Sequence, residues 1–250
     1  LGKTHWPETN AKMLKNRRIG LSQSGVVQAF NKHGRREMYD WCDQAYEYVQ
    51  KLDNHYANWL CIPKSIRTTS IKPSGTVSLL NGSTPGIHFP EDEYYIRRIR
   101  FSADSPLIEP LETAGYFIED DVYSPNTVCV EFPVHEPYFI KGKRDVSMWE
   151  QLEIAAQYQH YWADNSVSIT VTFKPEEAGG LRDALEMYES RLKAVSFLKY
   201  EETGYEQAPY EPISKERYEE LIKNITPVTK ITTDAEGTGS KFCTNDSCTI

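Results

Sequence analysis

Ser166-Val167-Ser168-Ile169-Thr170-Val171-Thr172-Phe173 sets the architecture. Apolar side chains recur at every second position, and all four are β-branched or aromatic, as suits a half-buried strand. On its N-terminal side, Ser147 to Asp164 reads as a helix. Ser147 is its cap, and Glu150 lies three residues on, the spacing of a capping box. On its C-terminal side, Pro175 opens a helix running to about Val195, because a proline ring is tolerated in a first turn. Farther out, Arg36 to Leu60 is amphipathic, with Met38, Trp41, Cys42, Ala45, Tyr48, Val49 and Leu52 at three- and four-residue steps before Pro63. Asn10 to about Lys32 carries a weaker helical face interrupted at Gly20 and Gly25, and Ser214 to Asn224 reads as a short helix. Arg67–Ile71, Tyr94–Phe101 and Thr127–Phe132 read as further strands. Strands alternating with helices predict the α/β class with parallel pairing. There is no internal repeat.

The chain has 250 residues, 39% hydrophobic and 26% charged, the balance of a globular protein long enough to bury a core. Its 16 tyrosines predict a core that is partly aromatic with polar tips. A net charge of -8 argues against a general nucleic-acid or anionic-membrane surface, while leaving room for a local cationic pocket. No apolar run approaches membrane-spanning length and no signal-peptide pattern opens the chain, so a cytoplasmic location is expected. The first residue is Leu1, from which we expect a chain that begins in mid-gene or is a processed or split product.

Five cysteines, Cys42, Cys61, Cys129, Cys243 and Cys248, are an odd number and do not suggest a disulfide framework. Cys243 and Cys248 stand apart because they lie five residues apart at the chain's end, after a polar run from about Thr226 with little to bury. On a mobile tether, such a pair closes into a small loop and suits disulfide exchange. Chance placement and half of a metal site are the alternatives; two cysteines alone cannot fill a tetrahedral zinc shell, and no metal site is expected.

Lys72-Pro73-Ser74-Gly75-Thr76-Val77-Ser78 follows the strand at 67–71. Gly permits close backbone approach, and the hydroxyls and N–H groups of Ser and Thr suit an anion. The plainer reading is a strand-to-helix turn with a Ser/Thr cap; neither the Walker pattern nor GxGxxG is present. Asn81-Gly82-Ser83-Thr84-Pro85-Gly86-Ile87-His88 prolongs the irregular stretch beyond what a simple connection needs. His88 reads as a hydrogen-bonding loop residue rather than an acid-base group. Arg98 and Arg100 fall on one strand face and are expected to be solvated, and Asp120-Asp121 reads as a turn.

These motifs carry a family resemblance. Thr4-His5-Trp6-Pro7-Glu8-Thr9, Asn16-Arg17-Arg18-Ile19-Gly20, Lys72 to Leu80, Asp164-Asn165-Ser166-Val167-Ser168 and the terminal Cys-x4-Cys together resemble the monomeric adenosylcobalamin-dependent (class II) ribonucleotide reductases, in order along nearly the whole chain. The resemblance implies the C-terminal part of a ten-stranded α/β barrel over residues 1–225 and a flexible redox-active tail over residues 226–250. It implies that Ser74, Gly75, Thr76, Val77 and Ser78 contact substrate phosphates. It also implies that Cys243 and Cys248 pass electrons from thioredoxin, or a similar dithiol, to an active-site disulfide. Ribonucleoside triphosphates are the implied substrates, with adenosylcobalamin as the radical source.

One feature of the family is missing. Its radical cysteine lies in an Asn-x-Cys-x-Glu loop, and the nearest match, Val128-Cys129-Val130-Glu131 behind Asn126, reads as a strand and has the Asn one place too early. The radical cysteine is therefore expected upstream of Leu1, and an N-terminal remainder of the reductase is the expected partner. The chain alone is expected to be inactive. A non-catalytic phosphate-ligand or redox-partner module of the same fold is the rival expectation.

Overall fold

A computed structural model describes residues 5–75, 77–200 and 206–228. Along the chain run α1 (Pro7–Asn16), α2 (Val26–His33), α3 (Arg35–Trp59), β1 (Tyr94–Ser102), α4 (Ile108–Thr113), β2 (Phe117–Asp120) and β3 (Thr127–His135). They are followed by α5 (Met148–Tyr161), β4 (Thr170–Phe173), α6 (Leu181–Tyr188), β5 (Ser196–Lys199), β6 (Tyr210–Pro212) and α7 (Lys215–Lys223). Two compact units result: Leu1–Glu93 with Glu136–Thr203, and Tyr94–His135 with Gly204–Ile250.

The first unit contains the expected parallel pairing. β4 and β5 are parallel, and parallel bridges Leu21↔Thr69 and Ile71↔Val167 extend the ladder to the segments at 19–21 and 67–71. Backbone bonds from Leu21 to Thr68, Ser168 to Ile71 and Ser196 to Ile169 knit the four segments in that order. The stretch quoted first is thus central: Val167, Ile169 and Val171 are buried, as alternation predicts. Its regular strand is shorter than expected and starts only at Thr170.

α5 is buried around much of its circumference, with Met148, Leu152, Ile154, Ala155 and Tyr158 in the core beside Val26, Phe30, Ile71 and Ile87. Tyr39 joins them, its ring edge-on to Phe30 and Tyr158 and stacked on Tyr161, so the core is aromatic as the tyrosine count suggests. Ser147 caps α5, its Oγ accepting from the Glu150 N–H at 3.2 Å. The capping box does not close. The Glu150 carboxylate is held at 2.6 Å by Lys141 and also by Arg35, and two cations outcompete one backbone N–H.

After Pro175 the chain makes a 3-10 turn to Gly180, and α6 ends at Tyr188, well short of Val195. The difference has a tertiary cause: residues 196–199 find a parallel partner in β4 and become β5. In the second unit, an antiparallel sheet in the order β2-β3-β1-β6 forms, with α7 packed on β1 and β3. Here too a solvated expectation is corrected. Arg98 lies directly across from Glu131, and the two pair at 2.6 Å with their side chains only 11% exposed. Arg98 also meets Glu211 of β6 at 2.5 Å, and Arg100 bonds the buried Asp121 at 2.8 Å. The acidic pair is therefore not a simple turn: Asp120 ends β2 and Asp121 is an ion-pair partner. Among the described residues no helix is long and apolar enough to cross a membrane.

One carboxylate locks the parallel ladder. Asp164 accepts from the N–H groups of Thr68 and Thr69 at 2.9 to 3.0 Å and from both hydroxyls at 3.1 Å. Burial alone would raise its pKa, but these donors outweigh it and hold the carboxyl below the ordinary value. Its stabilisation is present above the unfolded pKa of about 3.9 and is lost as pH falls through the lower folded value. We expect Asp164→Ala to lose about 3 kcal/mol of unfolding free energy in urea, because buried donors are left unmade. Asp164→Asn, which keeps one acceptor oxygen, should fall between it and the parent; a loss under about 0.5 kcal/mol for Asp164→Ala would remove this carboxylate's structural role.

Candidate functional site

Strand 67–71 delivers its C-terminal end into the irregular stretch 72–88, where the sequence places an anion site. The turn is shaped by backbone rather than by a long helix: only a 3-10 turn, Val77–Asn81, follows. Ser74 sits in the left-handed region at φ +51°, and its carbonyl accepts the Ser78 N–H at 2.9 Å. The Lys72 N–H donates to Ser22 Oγ at 2.9 Å, and the Gly86 N–H donates to Ser74 Oγ at 3.3 Å. Gly86 has φ +52°, and a Cβ there would lie 2.5 Å from the Lys72 carbonyl oxygen, so two backbone segments meet where only glycine fits.

Ser74 Oγ and Ser24 Oγ are 2.5 Å apart. Whichever hydroxyl donates, the other keeps its own hydrogen for a further acceptor. Gly75 has open space where a Cβ would stand, and Val77 is exposed. Ser78 is buried with its Oγ unpartnered, as is Thr84 Oγ1. Four of the five sequence-assigned positions, Ser74, Gly75, Val77 and Ser78, thus occupy one turn, while Thr76 lies outside the described residues. The arrangement offers hydroxyl hydrogens and open backbone to an anion.

The sequence reading missed the partners that hold this turn. Ser22 and Ser24 come from the segment before α2, whose Gly25 cap has φ +73°. Gln28, on the first turn of α2, reaches back: its Nε2 donates to the Gly82 carbonyl at 3.0 Å and to the buried Glu136 carboxylate, while its Oε1 accepts the Thr84 N–H at 3.2 Å. Burial pushes the Glu136 carboxyl up from its ordinary pKa, against the lowering effect of Gln28. The polar, Gly-ended Ser22-Gln23-Ser24-Gly25 was the available signal; its spatial neighbour was not readable.

His88 is a structural residue. Its Nδ1–H donates to the Pro85 carbonyl at 3.1 Å, which leaves Nε2 to accept the Thr170 N–H at 3.2 Å and so ties the loop to the start of β4. Burial raises the thiol pKa of two of the described cysteines, Cys42 and Cys129. Cys129 is fully buried on β3, in agreement with its rejection as a radical residue, and burial pushes its thiol pKa up. Cys42 is likewise buried with a raised pKa, its thiol donating to Gln23 Oε1 at 3.7 Å, and Cys61 is exposed. Cys243 and Cys248 lie outside the described residues. Among the described residues no group of three or more His, Cys, Asp or Glu side chains is placed to hold a metal ion.

No family model matches the chain. Individual proteins do. A probable adenosylcobalamin-dependent ribonucleoside-triphosphate reductase of Dictyostelium discoideum is 48% identical over all of this chain and 34% of its own length. The adenosylcobalamin-dependent ribonucleoside-triphosphate reductase of Euglena gracilis is 46% identical over 98% of this chain and 35% of its own. The corresponding Lactobacillus leichmannii enzyme is 38% identical over 88% and 34%. The crystal structure of a B12-dependent (class II) ribonucleotide reductase superposes with a TM-score of 0.80 at 35% identity, covering 89% of this chain and 35% of that one. The chain therefore spans about a third of the length of the relatives it matches, and corresponds to their C-terminal part.

The hydrogen bonds of His88 generate a pH prediction. Burial first, and Lys143 next, hold its pKa below 6.5 against the pull of the Pro85 carbonyl. A depressed histidine is neutral in the fold, so its stabilisation is complete above about pH 6.5 and falls away as pH drops through the folded pKa. An NMR titration of the ring should give a midpoint below 6.5, and the unfolding free energy of His88→Gln should depend less on pH between about 7 and 5 than the parent's. A midpoint at or above 6.5 would exclude the neutral, two-bond histidine.

Proposed function

We propose that this chain is the C-terminal portion of a cytoplasmic class II ribonucleotide reductase that converts ribonucleoside triphosphates to 2'-deoxyribonucleotides. Residues 1–225 supply part of the α/β barrel with its phosphate loop, and residues 226–250 supply a redox-active tail. The observation that carries the proposal is the turn at Ser74, built for an anion at the end of a parallel strand, in a chain 48% identical to a protein named as such a reductase.

In this role Ser74, Gly75, Thr76, Val77 and Ser78 hold the triphosphate. The Ser74 hydroxyl, near the start of α2, is available to its negative oxygens, and the Gln28 clasp keeps the turn in shape before substrate arrives. Adenosylcobalamin, the cofactor named for the relatives, supplies the radical that starts ribose reduction. None of the described residues is assigned to that cofactor, and no step here is routed through it.

Each turnover oxidises an active-site dithiol to a disulfide in the remainder of the enzyme. A thiolate of the pair Cys243 and Cys248 attacks that disulfide and forms a mixed disulfide, and the second tail thiol displaces it. The active-site pair regains two electrons and two protons, and the tail is left as a disulfide. Thioredoxin or a similar dithiol protein reduces the tail by the same exchange. A reducing cytoplasm suits thiols that must return to the reduced form.

The test uses the reductase assembled from this chain and the remaining length present in its relatives. Cys243→Ser and Cys248→Ser should abolish turnover driven by thioredoxin while sparing turnover driven by a small dithiol; equal loss with both reductants would sink the shuttle. Ser74→Ala should raise KM for the triphosphate about fivefold to tenfold, through one lost hydrogen bond to a charged oxygen, with kcat little changed. An unchanged KM would remove the phosphate assignment. A chain that folds alone as a stable monomer and binds no N-terminal partner would favour the rival, a non-catalytic phosphate-ligand or redox-partner module.

A further inference from the structure

The opposite end of the same parallel ladder holds a cavity of about 670 Å3 within the first unit. Its lining includes Arg67, His160, Ser190 and Lys193. We infer that this cavity is a second anion site, for a phosphate-bearing small molecule of nucleotide size, distinct from the Ser74 turn.

The topology assembles the charge. Arg18, Arg67, Asp164 and Lys193 each stand just before one of the four parallel segments, at 19–21, 67–71, 167–173 and 196–199. Parallel strands bring all their N-terminal ends to one edge, so residues far apart in sequence become neighbours there. Arg18 and Arg67 have no side-chain hydrogen bond or ion pair among the described residues. Lys193 feels both: after burial, the proximity of Arg67 lowers its pKa, with a further contribution from Arg18, against the pull of Asp164.

The neighbouring acid offsets only part of this charge: the Asp164 carboxylate, also in the cavity lining, attracts Lys193. The Asp164 carboxylate already accepts four donors from Thr68 and Thr69, and Lys193 reaches only the Asp164 backbone carbonyl. Arg191, also on the cavity wall, is committed to a two-pronged pair with Glu153 at 2.8 Å and is not counted. What remains is an excess of cations, Arg18, Arg67 and Lys193 against the single Asp164 carboxylate, in a chain whose net charge is -8. Like charges gathered this way cost stability unless an anion joins them.

The donor types select phosphate. Arg67 presents a planar fork matched to two phosphate oxygens, Lys193 a compact charge, and Ser190 and His160 further hydrogen-bond donors. The volume falls in the range of small-molecule pockets, roughly 300 to 1,000 Å3. The site does not depend on the reductase reading. Along strand 67–71 it lies on the order of 20 Å from Ser74, at about 3.3 Å per residue.

Calorimetric titration of the whole chain with inorganic tripolyphosphate tests the inference. In a Ser74→Ala background, which weakens the Ser74 turn without abolishing it, binding should persist, and adding Arg67→Gln and Lys193→Gln should weaken it about tenfold or more. Exposed, pair-forming arginines supply the control: Arg182→Gln with Arg217→Gln removes the same charge elsewhere and should change affinity less than about twofold. Relief of like-charge crowding should also hold or raise the melting temperature of the Arg67→Gln, Lys193→Gln variant. No binding to the Ser74→Ala chain, parent affinity in the double charge variant, or an equal loss in the control would each overturn the site. If the double variant does not fold, Ser190→Ala carries the test, because it removes only an exposed hydroxyl: about threefold weaker binding supports the site and parent affinity overturns it.

Discussion

The carboxylate of Asp164, filled by the amides and hydroxyls of Thr68 and Thr69, is the contact on which the first unit depends. It joins the end of the α5 region to the start of strand 67–71, whose two threonines are fully buried. Without it, buried amide and hydroxyl donors would lack acceptors at the point where the parallel segments converge. The Asn165 side chain continues the tie, its Nδ2 donating to the carbonyls of Ile19 and Thr69, so three of the four segments are pinned within two residues of sequence. Gln151 does similar work deeper in, exchanging two hydrogen bonds with the backbone of Thr172. Buried polar side chains here set strand register, which apolar packing alone fixes less tightly.

Once that strand is placed, both of its ends acquire chemistry. Its C-terminal end turns through Ser74 under the constraint of Gly86, where backbone meets backbone, and of Gln28, which holds the loop at two points and rests on Glu136. A preshaped turn loses less entropy on meeting an anion than a free loop would. The N-terminal end carries Arg67 into the company of Arg18 and Lys193. If both proposed sites hold, the fold separates a hydroxyl-rich phosphate site from a cationic one, and the two are expected to differ in salt dependence.

The second unit shows how a chain segment is fastened before the tail begins. Arg97, Arg98 and Arg100 donate to the carbonyls of Pro209, Ala208 and Gln207, and Gln207 in turn bonds Glu119 and the Asp120 carbonyl. Gly115, at φ +89°, admits the Asn224 carbonyl where a Cβ would clash at 2.1 Å, and the Thr226 N–H bonds Ala114 at 2.8 Å. Under the proposed function, this anchors the root of the redox tail, so that exchange of the terminal thiols does not loosen the sheet. The arginines that a strand pattern would leave in solvent are the staples of that anchor.

Local sequence determined the elements whose causes are local. The alternation of residues 166–173, the Ser147 cap, the amphipathic face of α3 and the strands β1 and β3 each follow from side-chain period or a cap within a few residues. The residue types of Ser74 to Ser78 and the spacing of Cys243 and Cys248 are visible in the sequence, whereas their roles as phosphate contacts and dithiol shuttle belong to the proposed function. Tertiary structure alone decided what is non-local. It made residues 196–199 a strand by giving them β4 as a partner, shortened the helix after Pro175, and turned Glu150 from its capping box to Lys141 and Arg35. It also brought Ser24 and Gln28 to a loop some fifty residues away in sequence. Arg67 and Lys193 meet at one edge because parallel strands align their starts, and no periodicity along a single chain encodes which starts become neighbours.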